Sequence, residues 1–471
     1  MECRDNLEVI VLAAGQSTRF SGKVTKLVAP LAGLPLVMHP LRALEALHLP
    51  VTVVVGHQQD RVRCVIEKYC SIKETLSFIC QEKPQGTGGA LCAVKNKVSR
   101  DQILIINGDM PLITTELLVS MYEHHENHKA DITFAGTYVQ GVQGGSYGRV
   151  IFREDTVSII ESRYDEARDM ALMLANAGIY LMQRSIFEEI VNALPWHSDV
   201  GEYYITDGIG YASTQGYNVS CFVMPFEVVM GVNTQKEYDA VSRHYYASRI
   251  AYFSSKGVLF EDSNDCLIEV DVIIGEKTEI GKGVIIRQGT VIGGEVKIEP
   301  YVILKQATIN DGATVKAHSI IDRSSLLEGA LVGPFAHIKE GSVVGRSSIV
   351  GNFVECTRTT IGEHSKIKHH AYVGDAVIGS YVNMGAGVKI CNYNGMSKHL
   401  TYIGDKAFIG SNVSLVAPLS IGEGVVVGAG STLTESVPAQ SVAIARARQI
   451  NKEQYAPVLW NTLKKREKCK P

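Results

Sequence analysis

The sequence predicts an α/β domain joined through a helix to a parallel β-helix. Three observations carry this. Short apolar runs alternate with helical patterns up to about residue 233, a helical stretch runs from Thr234 to about Lys256, and from Ile268 to Leu433 an apolar residue recurs at every sixth position.

In the first part, Val9 to Leu12, Val51 to Val55, Leu76 to Cys80 and Ile103 to Ile106 read as buried strands. Between them lie a helical pattern carried by Leu36, Met38, Leu41, Leu44 and Leu47, a second helix, and a third from about Gly88. Such alternation implies a mostly parallel sheet with helices on its faces. Ligands of these sheets sit beyond the carboxyl ends of the strands. The loop Ala13–Arg19 and the turn Asn107-Gly108-Asp109 both lie at such ends.

The connecting stretch places Tyr238, Val241, Tyr245, Ala247, Ile250 and Ala251 at helical spacing. The repeat then reads Ile268, Ile274, Ile280, Ile286, Ile292, Ile298, Leu304, slips, and restarts at Ile309, at Leu326, at Ile361 and at Ile378. Its last run is Ile403, Ile409, Leu415, Ile421, Val427, Leu433. A period of six fits neither a helix face nor a lone strand. It fits coils that each put one branched side chain inside and bury it only against their neighbours. The pattern resembles the left-handed hexapeptide-repeat β-helix, an exception to right-handed crossovers. After Leu433 the repeat is expected to stop, leaving residues 446–471 as a tail with a solvated basic end at Lys464–Lys468.

Length and composition narrow the function classes. A chain of 471 residues exceeds one ordinary core. Its formal net charge of −3 argues against a broad nucleic-acid surface. The ten Cys show no metal or CxxC spacing and read as mostly buried thiols in a reducing compartment. No signal peptide or bilayer-length apolar run is legible, so a cytoplasmic protein without a membrane partner is expected.

Gly15, after the first strand and among small residues, lets backbone N–H groups approach a phosphate. Arg19 and Lys26 add a forked donor and a mobile point charge. Asp109, after a buried strand, reads equally as a Mg²⁺ ligand or as a turn or cap residue. Residue chemistry alone leaves that open.

Longer motifs decide it. Leu12-Ala13-Ala14-Gly15, Thr18-Arg19 and Lys26 resemble the signature of sugar-1-phosphate nucleotidyltransferases. Gln81, Gly86-Thr87-Gly88, Asn107-Gly108-Asp109, Tyr147-Gly148-Arg149, Gly201–Asp207 and Gly231-Val232-Asn233 follow in that family's order. With the helix and repeats, nearly the whole chain is similar to the bacterial bifunctional N-acetylglucosamine-1-phosphate uridyltransferase/glucosamine-1-phosphate acetyltransferases. The resemblance implies a Rossmann-like nucleotidyltransferase domain over 1–233, a helical arm over 234–256, an acetyltransferase β-helix over 257–445 and a homotrimer. It implies that acetyl-CoA acetylates glucosamine 1-phosphate, and that UTP is coupled to the N-acetylglucosamine 1-phosphate with Mg²⁺. The product is UDP-N-acetylglucosamine, for peptidoglycan and lipopolysaccharide precursors.

It also implies roles. Leu12, Ala13, Ala14, Gly15, Gln81, Gly86, Thr87, Asn107 and Gly108 hold the nucleotide, and Arg19 and Lys26 face its phosphates. Asp109 and Asn233 hold the metal, and Gly148, Glu161 and Asn176 hold the amino sugar. In the β-helix, His369 is the base and Tyr372 its companion. Asn383, Ala386, Asn392, Tyr393, Ser411, Ala429 and Arg446 line the acceptor and acetyl-CoA. Asn392 and Tyr393 belong to an insertion between Ile390 and Ile403, and a long loop on a solenoid is more often functional than idle.

The sequence departs from the family pattern at six positions: Ser17 for Gly, Thr25 for Pro, Pro84 for Gln, Asn107 for Tyr, Lys339 for Arg and Thr357 for Lys. The last two positions contact the sugar's 1-phosphate in the family. Arg358 lies next to Thr357. Those two changes favour an alternative in which the β-helix is a trimerisation scaffold or serves another acyl acceptor. A non-catalytic regulator is disfavoured by the intact Arg19, Lys26, Asp109 and Asn233.

Overall fold

The computed structural model describes residues 6–17, 19–20, 25–140, 147–154, 156–165 and 172–467. Thr18 of the loop motif, the first five residues and Lys468 of the basic end lie outside them. The chain divides into two compact units, one holding residues 1–251 with 268–270, the other 252–267 with 271–471.

The first unit is built on a nine-stranded sheet. Its elements are β1 (Leu7–Ala13), α1 (Met38–Glu45), β2 (Val51–Val55), α2 (Gln59–Tyr69), β3 (Leu76–Cys80), α3 (Gly86–Val94), β4 (Gln102–Asn107) and α4 (Thr115–Asn127). There follow β5 (Ile132–Val139), β6 (Arg149–Arg153), β7 (Thr156–Ile160), β8 (Met173–Gln183), α5 (Arg184–Ala193), α6 (Ile205–Thr214) and β9 (Val219–Val223). The main strand order is β9-β5-β8-β4-β1-β2-β3, with β6 and β7 as a hairpin beside β8. β1 is parallel to both β2 and β4, and Val9, Val11, Val53 and Ile105 are fully buried, as expected of strands covered on both faces. The chain runs from β1 to β2 on one side and from β4 to β5 and β8 on the other, so the loops after β1 and β4 open a crevice at a topological switch point.

Helix α7 (Gln235–Ser255) starts at a capping box: the Thr234 hydroxyl accepts the Glu237 N–H, and the Glu237 carboxylate accepts the Asn233 and Thr234 N–H groups. Val241 is fully buried in the core of the first unit, with Tyr238 and Tyr245 packed beside it. That stretch is therefore packed on the first unit.

In the second unit every residue of the six-residue register from Ile280 to Val427 is at most 3% exposed. Strands mostly of two or three residues follow one another, and strands one coil apart pair: Ile274 with Ile292, Ile280 with Ile298, Ile286 with Leu304. Each coil thus has three short strands, consistent with a left-handed parallel β-helix. At the corners a residue with positive φ recurs coil after coil, as in Tyr301, His318, Phe335, Phe353 and His370. One expectation needs correction. The repeat continues past Leu433, because Val442–Ala443 adds another rung beside Val426–Val427. Residues 434–441 hid it, because Val437, which bridges to Ile421, falls outside the six-residue count. The tail carries a helix, α8 (Tyr455–Glu467), whose Val458, Leu459, Trp460 and Leu463 are exposed.

The cysteines also differ from expectation. Among the eight described, all free, Cys64, Cys80, Cys92 and Cys391 are exposed, and only Cys70, Cys266 and Cys356 are buried. Cys64 and Cys92 lie on outer helix faces, and Cys80 ends the edge strand β3.

Coils stack closely enough to forbid a side chain at some glycines. A Cβ on Gly362 would lie 2.5 Å from the Gly379 carbonyl carbon and 2.6 Å from the Ser380 nitrogen, both backbone. Gly362→Ala should therefore destabilise the β-helix by about 1–3 kcal/mol. Differential scanning calorimetry should show a lowered transition for that unit, with the α/β transition unmoved.

Candidate active sites

The β1–β4 register pairs Leu12 with Asn107, and the Gly108 N–H donates to the Leu12 carbonyl at 2.9 Å. This fixes the glycine loop beside the Asp109 turn. Between them opens a cleft of about 500 Å³. Its wall includes Leu12, Ala13, Ala14, Gly15, Arg19, Lys26, Gln81, Gly86, Thr87, Asn107, Asp109, Gly148, Glu161, Asn176 and Asn233. Gly108 sits behind the wall, held by its bond to Leu12.

At the cleft's charged end, Lys26 Nζ donates to Asp109 Oδ2 at 2.5 Å and to Asn233 Oδ1 at 2.7 Å. A carboxylate oxygen and an amide oxygen from distant segments converge on one cation. That donor set suits Mg²⁺, a hard cation bound by one or two carboxylates with substrate phosphates and waters. The capping box holds Asn233 at the start of α7, and Tyr147 accepts the Gly231 N–H at 3.1 Å. Burial pushes the Tyr147 phenol up to about 12.

Elsewhere on the cleft wall, Thr206 donates to Glu161 at 2.6 Å, and burial raises the Glu161 pKa above the ordinary carboxylate range. The Asn176 amide donates to the Tyr180 hydroxyl at 2.7 Å. Gly178, at φ +77°, lets β8 bulge between these two residues. Arg149 grips the buried Asp165 through two bonds of 2.9 and 2.7 Å. Tyr180, Glu202, Tyr204 and Thr206 also line the cleft and were not singled out from sequence. The last three lie inside the Gly201–Asp207 motif, which was the available signal.

Two departures from the family pattern touch each other. Ser17, at φ +55°, places its hydroxyl 3.1 Å from that of Thr25 and accepts the Lys26 N–H at 3.3 Å. The Thr25 N–H, which a proline would lack, donates to Gln58 at 3.2 Å.

In the β-helix, His369, Ala386, Ser411 and Ala429 each precede a positive-φ corner residue in successive coils. The carbonyls of His369, Ala386 and Ser411 accept the N–H of Gly387, Asn412 and Gly430 in turn, so the four residues form one column. Arg446 reaches the end of it, beside Gly430. His369 is exposed, and its Nδ1 lies 3.0 Å from Asn352 Oδ1. With the amide oxygen accepting, Nδ1 carries the proton and Nε2 presents its lone pair. The hydrogen-bond partner of His369 is thus Asn352. The signal was the coil register, which pairs Asn352 with His369.

Tyr372 follows the corner, on the next face. Its hydroxyl and the Asn392 amide each lie 2.7 Å from where a Gly374 Cβ would be. Tyr393 is exposed and its hydroxyl donates to the Gly395 carbonyl within the insertion. Asn383 pairs with Lys366 and Phe408 on another face. Lys339 and Thr357 are paired in register. The Lys339 ammonium lies 2.7 Å from Glu355, whose carboxylate raises its pKa. The Thr357 hydroxyl is buried without a hydrogen-bond partner. Arg358 is held by Asp375 and Glu340, away from substitution for the missing Lys.

Among the described residues no helix is long and apolar enough to cross a membrane. Residues 9–178 match the MobA-like NTP transferase domain, 268–354 the GMPPB C-terminal domain, and 400–435 the bacterial transferase hexapeptide repeats. The chain is 35% identical to the bifunctional protein GlmU of Geobacter sulfurreducens, over 95% of this chain and 98% of that one. It is 33% identical to that of Koribacter versatilis (95% and 96%) and 35% identical to that of Acinetobacter baumannii (95% and 97%). Sheet, cleft, coils and full-length similarity agree: the chain belongs to the bifunctional GlmU family, an N-terminal nucleotidyltransferase joined to a C-terminal hexapeptide transferase.

Proposed function

We propose that this bifunctional transferase acetylates glucosamine 1-phosphate on its β-helix and couples N-acetylglucosamine 1-phosphate to UTP in its α/β cleft, releasing pyrophosphate and UDP-N-acetylglucosamine. The convergence of Asp109 and Asn233 on the Lys26 ammonium, beside a glycine loop, carries the uridylyl half. Nucleotidyltransferases of this family work with a divalent metal, and Mg²⁺ suits the oxygen donors here. Asp109 and Asn233 would hold the ion, which would supply neutralisation of phosphate charge.

In this reading Lys26 exchanges Asp109 and Asn233 for phosphate oxygens when nucleotide and metal arrive. Arg19 and the Gly15 loop orient the triphosphate. Gly148, Glu161 and Asn176 hold the sugar so that its phosphate oxygen meets the α-phosphorus in line with departing pyrophosphate. The nucleophile is already an anion, so alignment and charge neutralisation matter more than a protein base.

On the β-helix, Nε2 of His369 accepts a proton from the glucosamine ammonium. The freed amine attacks the thioester carbonyl, and coenzyme A leaves as the thiol. The column His369–Ala386–Ser411–Ala429, ending near Arg446, supports a site running along several coils. Lys339, paired with Glu355, and Thr357 leave a weaker grip on the 1-phosphate. The hexapeptide repeats support oligomerisation, and we assign a cytoplasmic homotrimer.

Asp109→Ala should abolish UDP-N-acetylglucosamine formation, and Lys26→Ala should lower kcat by about 10²-fold or more. Pyrophosphate release across a Mg²⁺ titration checks both. Near-full activity of Asp109→Ala with unchanged metal demand would remove the metal assignment.

His369→Ala should cost about 10²- to 10⁴-fold in thiol release from acetyl-CoA. Thr357→Lys should lower the KM for glucosamine 1-phosphate by about tenfold or more and leave kcat nearly alone. Thiol release untouched by His369→Ala would favour a scaffold role for the β-helix. Light scattering of the purified protein should give the mass of three chains; a monomer at working concentration would overturn the trimer.

A further inference from the structure

Arg358 is a cation next to Thr357, where the family has Lys. The structure gives it other work. Its Nε donates to Asp375 Oδ1 at 2.6 Å and its Nη2 to Asp375 Oδ2 at 3.0 Å, while Nη1 binds Glu340. The guanidinium is thus committed to two carboxylates, in the planar fork geometry that lysine cannot reproduce. Asp375 in turn accepts from the Asn392 amide at 2.5 Å. Its carboxyl is held below the ordinary range, first by Arg358.

These residues form a ladder along one edge of the solenoid. Glu340, Arg358 and Asp375 are corner residues in successive coils, at φ +55°, +48° and +50°. Asn392 lies at the end of the ladder and is only 5% exposed. It is also where the insertion begins: the His399 N–H donates to the Asn392 carbonyl at 2.7 Å, closing the loop. The Asn392 amide and the Tyr372 hydroxyl approach each other over Gly374. One side chain therefore joins the ladder to the acceptor face.

We propose that Arg358 is a positioning residue for acetyl transfer: it fixes Asp375, which holds Asn392 and the mouth of the insertion loop in place over Gly374. The proposal rests on the acetyl-transfer reading of the β-helix. It separates Arg358 from the sugar's phosphate. A phosphate ligand matters only to a phosphorylated acceptor and is largely replaced by any cation. A positioning fork matters to every acceptor and is not replaced by a point charge.

The test measures thiol release from acetyl-CoA by the full-length protein, with glucosamine 1-phosphate and with glucosamine. Arg358→Ala should lower kcat/KM on the order of 10- to 100-fold for both acceptors. Arg358→Lys should restore little, and Asp375→Asn, which keeps the shape, should behave like Arg358→Ala. Combined with Asn392→Ala, Arg358→Ala should add almost no further loss, since coupled residues are non-additive. Unchanged uridylyl transfer and thermal unfolding show that the variants fold; if Arg358→Ala does not, Asp375→Asn carries the comparison. A loss confined to the phosphorylated acceptor and rescued by Arg358→Lys overturns the proposal in favour of phosphate binding. Additive losses overturn it as well. If the wild-type protein releases no thiol with either acceptor, the acetyl-transfer reading itself falls, and this proposal with it.

Discussion

The parallel backbone ladder between coils is the constraint on which the second unit depends. Each coil's N–H groups donate to the carbonyls of the next, as in Gly275 to Ile292 and Gly293 to Ile309. The buried Ile, Val and Leu column keeps that register. Residues about one coil apart in sequence thereby become neighbours with fixed orientation. Asn352 meets His369, Lys339 meets Thr357, and Arg358 meets Asp375 by the same rule. The insertion after Ile390 shows how firm the register is. Ile367 pairs with Met384, while Ile390 reaches past the loop to Leu415, and the ladder resumes.

The first unit solves the same placement problem with a sheet. Its cleft depends on β1 lying between β2 and β4, which sets the glycine loop against the Asp109 turn. Asn233 comes from far along the chain and is brought in by the cap of α7. A helix start thus shapes the wall of the cleft.

Periodicity made most of the architecture legible. The strands Val51–Val55 and Leu76–Cys80 agree with their sequence bounds, and the six-residue register marked inward side chains throughout. Burial has a one-dimensional signature in both cases. Partnership between side chains has none. Asn352 is an unremarked residue until the coil stacks it on His369. The commitment of Arg358 to two carboxylates depends on corners, where the alternation of a strand no longer predicts direction. Cysteine exposure was misjudged because residue type alone says little about which helix face is occupied. The final rung was missed because its apolar residues fall outside the preceding count.

The bond between Ser17 and Thr25 makes two substitutions behave as one heritable unit. A glycine at 17 would relieve the positive φ but leave the Thr25 hydroxyl and the Lys26 N–H without their present partner. A proline at 25 would stiffen the chain before Lys26 but remove the N–H that ties it to Gln58. Either single exchange leaves one hydroxyl of the Ser17–Thr25 pair without its present partner, so the effects of the two exchanges are expected to be non-additive.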